Sequence, residues 1–526
     1  MASHSVHSPL HGSRLGTWYD AEPAQIRAQL EAARHAAADW AEWSVQARAD
    51  RVGVLRQVLL DELDSITEVL LRTAGKVPTE TLLGEVYPIL ELLSFYQAKA
   101  AAILAPRGVA TSLLAFPGST ARIDHRPYGV VAVISPWNYP FQLSLAPLIA
   151  ALIAGNGVLL KVSELSSPVA ELIGGLLQRA GIPAGLVQII VGAQETGAAL
   201  IDARPDLVLF TGSVATGRAI MAQAARHPIP VILEMGGKDP MIVCDDAPFE
   251  RAVQGALYGA FCNAGQVCVS VERCYVQQGI YRRFVDATVA AAAELKPGLD
   301  LGPMVSERQI AVVEAHYRDA IERGAKASAP LRRDGNYVAP VVLWDVDHSM
   351  KLMQEESFGP LLPIMPFADE DQAVELANDT DLGLNASVWS LDQVKAERIA
   401  RRLRVGGWAV NEVIKNIGHA GLPFGGVKDS GFGRYRGADG LLAFTHPVAG
   451  LINRGRVTRE PNWFPYSEAG YRELRGFIDF MFGGGSLPQR IRRNWKALQA
   501  FRQYFAPDLT QRIQNIKLSM PWKRGY

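Results

Sequence analysis

The feature that most constrains this chain is an alternation of short apolar strands and helices between residues 129 and 237. The predicted strands are continuously apolar, which is typical of parallel strands covered on both faces. We therefore predict a doubly wound α/β architecture, in which nucleotides bind at the carboxyl edge of the sheet. The predicted strands are 129–136, 157–164, 186–192, 206–213 and 229–237, and the predicted helices between them are 145–155, 168–181 and a segment from Ala215.

Two further regions flank this alternation. Residues 20–105 place apolar side chains at helical spacing, as in Val52, Leu55 and Leu59, and predict a run of amphipathic helices. Beyond about residue 240 the alternation restarts, which predicts a second α/β domain with strands at 274–278, 341–346 and 361–367. The first 16 residues are polar and contain no apolar signal-peptide core, so we predict a disordered lead-in.

Composition excludes several classes of protein. The 526 residues carry 53 basic and 53 acidic side chains, so the chain has no net positive charge that would favour binding to nucleic acid. The most apolar run, 145–160, is shorter than the ~20 residues that span a bilayer. The cysteines lie in one stretch without a Cys-x-x-Cys motif or a neighbouring histidine, so we expect no zinc, no disulfide framework and a cytoplasmic location. They are Cys244, Cys262, Cys268 and Cys274.

Five short motifs carry the candidate chemistry. Cysteine is a strong nucleophile toward carbonyl carbon and a good leaving group from a thioester. A glutamate at a strand end, followed by two glycines, lies where backbone can approach a ligand closely. The motifs are PWNYP (136–140) with Asn138, LEMGGK with Glu234, NAGQVCVS with Cys268, EESFGP (355–360) and LPFGGVKDSGFGR (422–434).

With these motifs in this order, the chain resembles the aldehyde dehydrogenase superfamily from about residue 20 to 450. Within it, the chain is most similar to the bacterial subgroup that includes diapolycopenedial-type dehydrogenases. The resemblance implies the aldehyde dehydrogenase fold and a homodimer or homotetramer. The domains that it implies are a nucleotide-binding domain (1–108 and 128–236), an oligomerisation element (109–127 and 441–450), a catalytic domain (237–440) and a C-terminal extension (451–526).

The resemblance also implies a mechanism for oxidising an aldehyde to its carboxylic acid. Cys268 is the nucleophile, and Glu234 is the general base that activates water. Asn138 and the backbone N–H of Cys268 hold the oxyanion. Because Glu234 is present, we expect a free acid as the product rather than a coenzyme A thioester. A coenzyme A-acylating enzyme and a non-catalytic binding protein that retains the fold are the alternatives.

The family pattern places a nicotinamide cofactor on the first sheet. The turn after strand 206–213 opens a helix whose N–H groups attract pyrophosphate. Lys161 and Glu164 resemble the pair that holds the adenosine ribose, although a plain surface ion pair is the alternative. Because the Glu164 carboxylate repels a 2′-phosphate, we expect NAD, with NADP as the alternative. The remaining cofactor-binding candidates are Trp137, Gly212, Ser213, Gly217, Glu356 and Phe358.

The substrate and the extension are less constrained. Tyr139 and Phe424 line the pocket in related enzymes, and they favour a medium-chain, long-chain or aromatic aldehyde; packing in the core is their alternative. The family's usual leucine is Met235 here, a volume-conserving change. Residues 451–526 carry 14 basic and 5 acidic residues and several aromatic ones. We expect helices that pack on the body or on a partner subunit, with peripheral membrane contact as the alternative.

Overall fold

The computed structural model describes residues 2–112, 116, 118–455 and 459–505, without the side chains of 502–505. Two compact units are present. One comprises Met1–Leu104 and Pro127–His446, and the other comprises Ala105–Arg126 and Pro447–Tyr526. Across the described ranges, no helix combines the length and apolar character needed to cross a membrane.

The chain begins with an antiparallel hairpin, so the predicted disordered lead-in is wrong. Strands β1 (Ser3–His7) and β2 (Arg14–Tyr19) pair with each other. The His4 ring bonds through Nδ1 to the Asp20 carboxylate at 2.7 Å and through Nε2 to the Ser167 hydroxyl at 2.8 Å. These partners lie far along the chain, and therefore the local polar sequence gave no sign of them.

The helices predicted for residues 20–105 are present. Val52, Leu55 and Leu59 are fully buried in the main core of the first unit, as their spacing requires. A short π-helical turn, Thr81–Val86, interrupts the series. The helices are α1 (Pro23–Ala41), α2 (Val45–Gly53), α3 (Leu55–Asp61), α4 (Leu63–Ala74), α5 (Pro78–Glu80) and α6 (Tyr87–Ile103).

The first sheet confirms the predicted doubly wound pattern. Its order is β21-β9-β8-β5-β6-β7, and all neighbours are parallel except β21, which pairs antiparallel with β9. Strand β21 belongs to the segment 237–440, which was predicted as the catalytic domain, yet it pairs with β9 in the sheet of the predicted nucleotide-binding domain. The strands are β5 (Val130–Ile134), β6 (Gly157–Lys161), β7 (Val187–Ile190), β8 (Leu207–Thr211), β9 (Val231–Glu234) and β21 (Gly431–Phe432), and the helices are α7 (Gln142–Ala154), α8 (Ser167–Arg179), α9 (Gln194–Asp202) and α10 (Val214–Ala224).

A second, seven-stranded sheet lies in the same unit, with the order β12-β15-β16-β11-β10-β18-β19. Only β12 is antiparallel to its neighbour, and the three strands predicted for this region are present. Its strands are β10 (Asp239–Val243), β11 (Val271–Gln277), β12 (Lys326–Ala327), β15 (Val341–Trp344), β16 (Leu361–Phe367), β18 (Ser387–Trp389) and β19 (Ala409–Val410). The helices around it are α11 (Phe249–Phe261), α12 (Tyr281–Ala292), α13 (Glu307–Glu322), α14 (Lys351–Gln354), α15 (Glu370–Asn378) and α16 (Gln393–Ala400). Two later helices, α17 (Lys415–Gly418) and α18 (Gly437–Leu442), contribute to the core on the side of the first sheet, where α18 packs on α6 and α7. Two small strand pairs complete the unit, β13 (Arg333–Asp334) with β14 (Tyr337–Val338) and β17 (Leu382–Gly383) with β20 (Val427–Lys428).

A three-stranded sheet, ordered β22-β4-β3, belongs mainly to the second unit. Its last strand begins at Thr445, because the residues immediately before it form helix α18 and the turn that follows. Parts of the segments predicted as oligomerisation element and extension, 113–115, 117, 456–458 and 506–526, lie outside the described residues. The elements are β3 (Arg107–Val109), β4 (Ser119–Pro127), β22 (Thr445–Asn453), α19 (Glu468–Phe482), α20 (Leu487–Arg493) and α21 (Trp495–Phe505).

One buried side chain ties the amino ends of the central strands together. Asn156 precedes β6 and is fully buried. Its Oδ1 accepts the Gly129 N–H at 3.0 Å, and its Nδ2 donates to the carbonyl oxygens of Ala151 at 3.0 Å and Phe444 at 2.9 Å. The three bonds satisfy backbone groups that have no water to replace them.

Substitution Asn156→Ala should lower the free energy of unfolding by about 2–4 kcal/mol, because it leaves the Gly129 N–H and the Phe444 carbonyl without this partner and opens a cavity. We expect a reduced Tm in a thermal melt and near-normal activity in the cold, since Asn156 lies at the amino edge of the sheet. Asn462→Ala, at an exposed position, is the matched control. Equal melting of the two variants would contradict the role assigned to Asn156.

Candidate active site

The topology of the first sheet brings four distant segments to one edge. Parallel pairing aligns Ile134 with Lys161 and with Phe210, and aligns Thr211 with Glu234. From β5 the chain adds strands on one side, and it then returns to add β8 and β9 on the other. The carboxyl ends of β5 and β8 therefore flank the point where the strand order reverses, where ligands of open α/β sheets bind.

A cavity of about 240 Å³ opens at this edge. Eight of the thirteen predicted site residues line it, namely Trp137, Asn138, Gly212, Ser213, Glu234, Cys268, Glu356 and Phe358. The lining residues that sequence reasoning missed are Pro136, Leu143, Thr211, Met235, Gly236, Gln309 and Val312. Gln309 and Val312 lie on α13, whose sequence resembles that of any amphipathic helix and gave no signal.

Cys268 lies on a loop of unusual backbone conformation between α11 and β11. Asn263 and Ala264 have φ values of 52° and 55°, a left-handed conformation that costs a non-glycine residue roughly 1–2 kcal/mol. At Gly265, a Cβ atom would lie 2.2 Å from the carbonyl oxygen of Gly359, so only glycine fits. The loop therefore folds tightly against the EESFGP segment and presents Cys268 to the cavity.

Hydrogen bonds join the Cys268 loop to the end of β5. The Asn138 side-chain amide donates to the carbonyl oxygen of Gln266 at 3.0 Å, and the Asn263 amide donates to the Asn138 carbonyl at 3.2 Å. The Gln266 side chain in turn donates to the Asn263 carbonyl and accepts the Val305 N–H, both at 2.9 Å. An amide has two N–H groups, so Asn138 keeps one donor beyond its bond to Gln266.

Burial dominates the electrostatics around Cys268. Glu234 is 2% exposed, and no side chain in the described part of the molecule donates a hydrogen bond to its carboxyl oxygens. Burial raises the pKa of Glu234 well above its usual range, while the nearby Arg434 guanidinium opposes the rise. Burial also raises the pKa of the Cys268 thiol, and the carboxyl groups of Asp239, Glu356 and Glu234 add to that rise.

A buried ion pair positions the segment that carries Glu356 and Phe358, and sequence reasoning missed it. Lys238 pairs with Glu272, and the Glu272 carboxylate accepts the N–H groups of Ser357 and Phe358, each at 2.8 Å. The Glu356 carboxyl accepts the Gly237 N–H at 3.0 Å, while burial and the nearby Glu272 carboxylate raise the pKa of Glu356.

The aromatic wall of the cavity comes from two different segments. The ring of Phe358 meets that of Trp137 edge to face, with 5.5 Å between centroids. Trp137 follows β5, whereas Phe358 precedes β16, and both line the cavity. A flat ligand group that enters this side of the cavity would therefore meet a rigid aromatic surface.

Helix α10 presents its N-terminus at the cavity. The Ser213 hydroxyl caps the helix by accepting the Thr216 N–H at 3.3 Å. Gly212 and Ser213 line the cavity. Gly217 does not line it, and a Cβ there would lie 2.2 Å from the Met235 sulfur, so this glycine permits close packing of α10 on the end of β9.

Lys161 is the last residue of β6 and Glu164 follows it, and neither is among the residues that line the cavity. Lys161 is buried, which rules out a surface ion pair, and its Nζ donates to the Val162 carbonyl at 3.2 Å. Burial lowers the pKa of Lys161, while Glu164 and Asp20 oppose that change. Glu164 accepts a 3.3 Å hydrogen bond from the Ser163 hydroxyl.

Tyr139 and Phe424 do not line the cavity but pack in the same hydrophobic cluster as Cys268. The Lys76 ammonium lies 3.5 Å from the Tyr139 ring centroid, and Phe424 meets Tyr435 edge to face. Their place in the substrate pocket stays a prediction. The other three cysteines are buried and unbridged, as expected, and the described part of the chain contains no cluster of three or more metal-ligating side chains.

The sequence profile described as the aldehyde dehydrogenase family matches residues 2–449. The chain belongs to this family. As a member, it is an oxidoreductase that acts on aldehydes. It is 59% identical over 521 residues to a 4,4'-diapolycopene aldehyde oxidase from Methylomonas, and the match covers 98% of each chain. This relative confirms the predicted subgroup.

Other relatives extend the comparison. A putative succinate-semialdehyde dehydrogenase [NADP(+)] from Mycobacterium ulcerans is 38% identical and covers 83% of this chain and 85% of its own. A putative aldehyde dehydrogenase structure from Anabaena variabilis is 34% identical, with a TM-score of 0.82 over 88% of this chain and 100% of that one. A betaine aldehyde dehydrogenase mutant from Staphylococcus aureus, in complex with NAD+ and with a BME-modified cysteine, is 28% identical, with a TM-score of 0.82 over 88% of this chain and 95% of its own.

The raised pKa of Cys268 predicts slow alkylation of this enzyme near neutral pH when no cofactor is added. Only the thiolate reacts, so the rate should climb about tenfold per pH unit and continue to rise past the pKa of about 8.5 of an ordinary thiol. Mass spectrometry after iodoacetamide pulses at a series of pH values measures the rate at Cys268, with Cys244 and Cys274 as buried internal controls. A plateau at or below pH 8.5 would show that the thiol is not shifted upward.

Proposed function

We propose that this chain oxidises a large apolar aldehyde to its carboxylic acid, with NAD as the cofactor, Cys268 as the nucleophile and Glu234 as the general base. The observation that carries the proposal is the single cavity that Cys268, Glu234 and Asn138 line together. These three residues come from three separate segments that only this fold brings together. They provide the nucleophile, base and amide donor that the reaction requires.

The residues around the cavity fit a nicotinamide dinucleotide. The N–H groups at the start of α10 suit a pyrophosphate, next to Gly212 and Ser213. Buried Lys161 makes one hydrogen bond, to a backbone carbonyl, which leaves ammonium donors for ribose hydroxyls near Glu164. Buried carboxyl groups around Cys268 suit a ring that carries positive charge when oxidised. When bound, the cofactor supplies the acceptor for the hydride that leaves the aldehyde carbon.

The chain's own residues then carry the remaining steps. The Cys268 sulfur gives its proton to Glu234, which passes it on to solvent and is then again able to accept a proton, and the sulfur bonds to the aldehyde carbon. The second N–H of the Asn138 amide and the Cys268 backbone N–H stabilise the oxyanion that forms. Loss of hydride leaves a thioester on Cys268. A water molecule gives its proton to Glu234 and attacks the thioester, which breaks the carbon–sulfur bond and releases the acid.

Two observations favour an apolar substrate. Apolar side chains form much of the cavity wall, among them Leu143, Val312 and Phe358. The Methylomonas relative is named for a diapolycopene aldehyde, which as a chemical class is a long polyene aldehyde. We further propose a homodimer or homotetramer, because the exposed strand β22 carries Leu451 and Ile452 at its surface and suits a subunit contact.

Catalytic variants test the roles of the three residues. Cys268→Ala should abolish turnover and keep NAD binding, which isothermal calorimetry measures. Glu234→Gln should release about one NADH per active site in a burst and then stop, because deacylation needs the base. Asn138→Ala should reduce kcat by about 10²–10³. Cys244→Ala is the matched control and should keep its activity; normal steady turnover by Cys268→Ala or Glu234→Gln would refute the assignment.

A substrate panel tests the reaction itself. Absorbance at 340 nm is followed with NAD or NADP and aldehydes from acetaldehyde through medium-chain alkanals to benzaldehyde, retinal and a polyene dialdehyde. We expect kcat/KM to rise with apolar length and to be higher with NAD. Turnover that requires coenzyme A would identify the acylating alternative. If no aldehyde increases the absorbance at 340 nm and Cys268 is also unreactive in the presence of NAD, a binding protein that retains the fold would be favoured.

A further inference from the structure

The C-terminal helices pack against one another through one face of α19. The rings of Phe477 on α19 and Phe501 on α21 stack with centroids 4.6 Å apart and planes 8° apart. A Cβ at Gly476 would lie 2.6 Å from the Ala497 Cβ, so the two helix backbones approach closely here. This inner face of α19 is therefore occupied.

The opposite face of α19 carries apolar side chains into solvent. Tyr471, Arg475, Ile478 and Phe482 follow the spacing i, i+4, i+7 and i+11, which places them on one face of a helix. Tyr471 is 64% exposed, Ile478 57% and Phe482 82%. We call these four residues the outer stripe. A solvent-facing stripe on a surface helix is normally polar, and exposed apolar patches mark interaction sites.

More exposed aromatic groups flank the outer stripe in sequence. Phe464 and Tyr466 lie just before α19, with ring centroids 4.6 Å apart, and both are exposed, as is Trp463. Trp495, at the start of α21, is also exposed. Aromatic rings with a polar atom are favoured at the boundary between lipid headgroups and acyl chains.

Charge distinguishes the extension from the rest of the chain. Residues 451–526 carry a net charge of +9, and because the whole chain is neutral, residues 1–450 carry −9. On α19 itself, Arg472 and Arg475 are exposed beside Glu468, Glu473 and Asp479, and Asp479 is paired with Arg493 of α20. The surplus of positive charge lies in the rest of the extension, for example at Arg492 and Lys496. This charge complements an anionic surface.

The extension is covered by the match to the Methylomonas relative but lies beyond the family profile. The match to the Methylomonas diapolycopene aldehyde oxidase covers 98% of both chains and so includes the extension. The family profile ends at residue 449, and the match to the Mycobacterium ulcerans relative covers 83% of this chain. An extension that is shared with a relative named for a polyene aldehyde suits a setting where such molecules dissolve, the acyl region of a bilayer.

We propose that the outer stripe binds the surface of a bilayer that contains anionic phospholipid, with α19 in the plane of the interface. Tyr471, Ile478 and Phe482 enter the acyl boundary, while Arg472 and Arg475 contact phosphate groups. This binding stands without the proposed substrate. Membrane binding would bring the enzyme to an apolar aldehyde dissolved in the bilayer, and only this consequence rests on the proposed function.

Co-sedimentation of the full-length protein with unilamellar vesicles tests the proposal. The vesicles are phosphatidylcholine alone, or the same lipid with roughly one-third phosphatidylglycerol. We expect binding to anionic vesicles that weakens in high salt, and much weaker binding to neutral ones. Ile478→Ser with Phe482→Ser should reduce the affinity for anionic vesicles at least about tenfold, because two apolar anchors are lost. Arg472→Gln with Arg475→Gln should reduce only the preference for anionic lipid.

A matched control uses exposed apolar residues of the other unit. Leu391 and Val394 are 69% and 74% exposed, and their double substitution to serine should leave vesicle binding unchanged. Normal Tm and normal oxidation of a water-soluble aldehyde by the Ile478/Phe482 variant would show that it is folded. If no variant oxidises any aldehyde, the proposed function fails, while the vesicle result still decides the membrane proposal.

Three results would overturn the membrane proposal. The first is no binding of the wild-type protein to either vesicle. The second is equal binding to neutral and anionic vesicles, which would remove the role of charge. The third is unchanged vesicle binding by the Ile478/Phe482 variant with a smaller mass in light scattering, which would identify the outer stripe as a contact between subunits.

Discussion

The hydrogen bond from the Asn138 amide to the Gln266 carbonyl is the link on which the site depends. Asn138 follows a strand of the first sheet, and Gln266 lies on the loop that leads into the second sheet. Each sheet has its own hydrophobic packing, and neither sheet alone contains the full set of candidate groups. The bond, with its return partner from Asn263, fixes the spacing between the amide and the cysteine loop. The position of the Asn138 amide is therefore coupled to that of the Cys268 loop.

A second layer of buried charge supports this link. Lys238 and Glu272 are buried and paired, and Glu272 holds the backbone of Ser357 and Phe358. A buried ion pair is costly unless further hydrogen bonds satisfy its atoms, and here the carboxylate has those bonds. The backbone therefore places Glu356 and Phe358 through a rigid chain of contacts rather than through a flexible loop. Left-handed residues around Gly265 complete the support, because packing against Gly359 holds them in place.

The sequence predicted the first sheet because continuous apolar runs follow local rules, and it predicted most of the cavity because the motifs resemble those of a known family. Continuous apolar runs marked β5, β6 and β8, and parallel pairing then forced their polar ends together. The eight predicted site residues that line the cavity were named from the family resemblance of their motifs, and Cys268, Glu356 and Phe358 reach the cavity from segments next to the second sheet. The failures have long-range causes. The N-terminal hairpin depends on bonds from His4 to Asp20 and Ser167. Gln309 and Val312 reach the cavity only because of where α13 packs, and Lys238 acquires its partner 34 residues later.

The crowding of carboxyl groups around Cys268 also bears on how the protein endures oxidants. Peroxides attack the thiolate, and the sulfenic acid that forms can be oxidised further to sulfinic and sulfonic acids, which thiol reductants do not reverse. Burial and the neighbouring carboxyl groups raise the pKa of the Cys268 thiol, which disfavours the thiolate near neutral pH. In the resting protein the thiol form of Cys268 is therefore favoured, and peroxides oxidise a thiol more slowly than a thiolate. Irreversible oxidation of Cys268 is therefore expected mainly during turnover, when the thiolate forms, rather than in the resting enzyme.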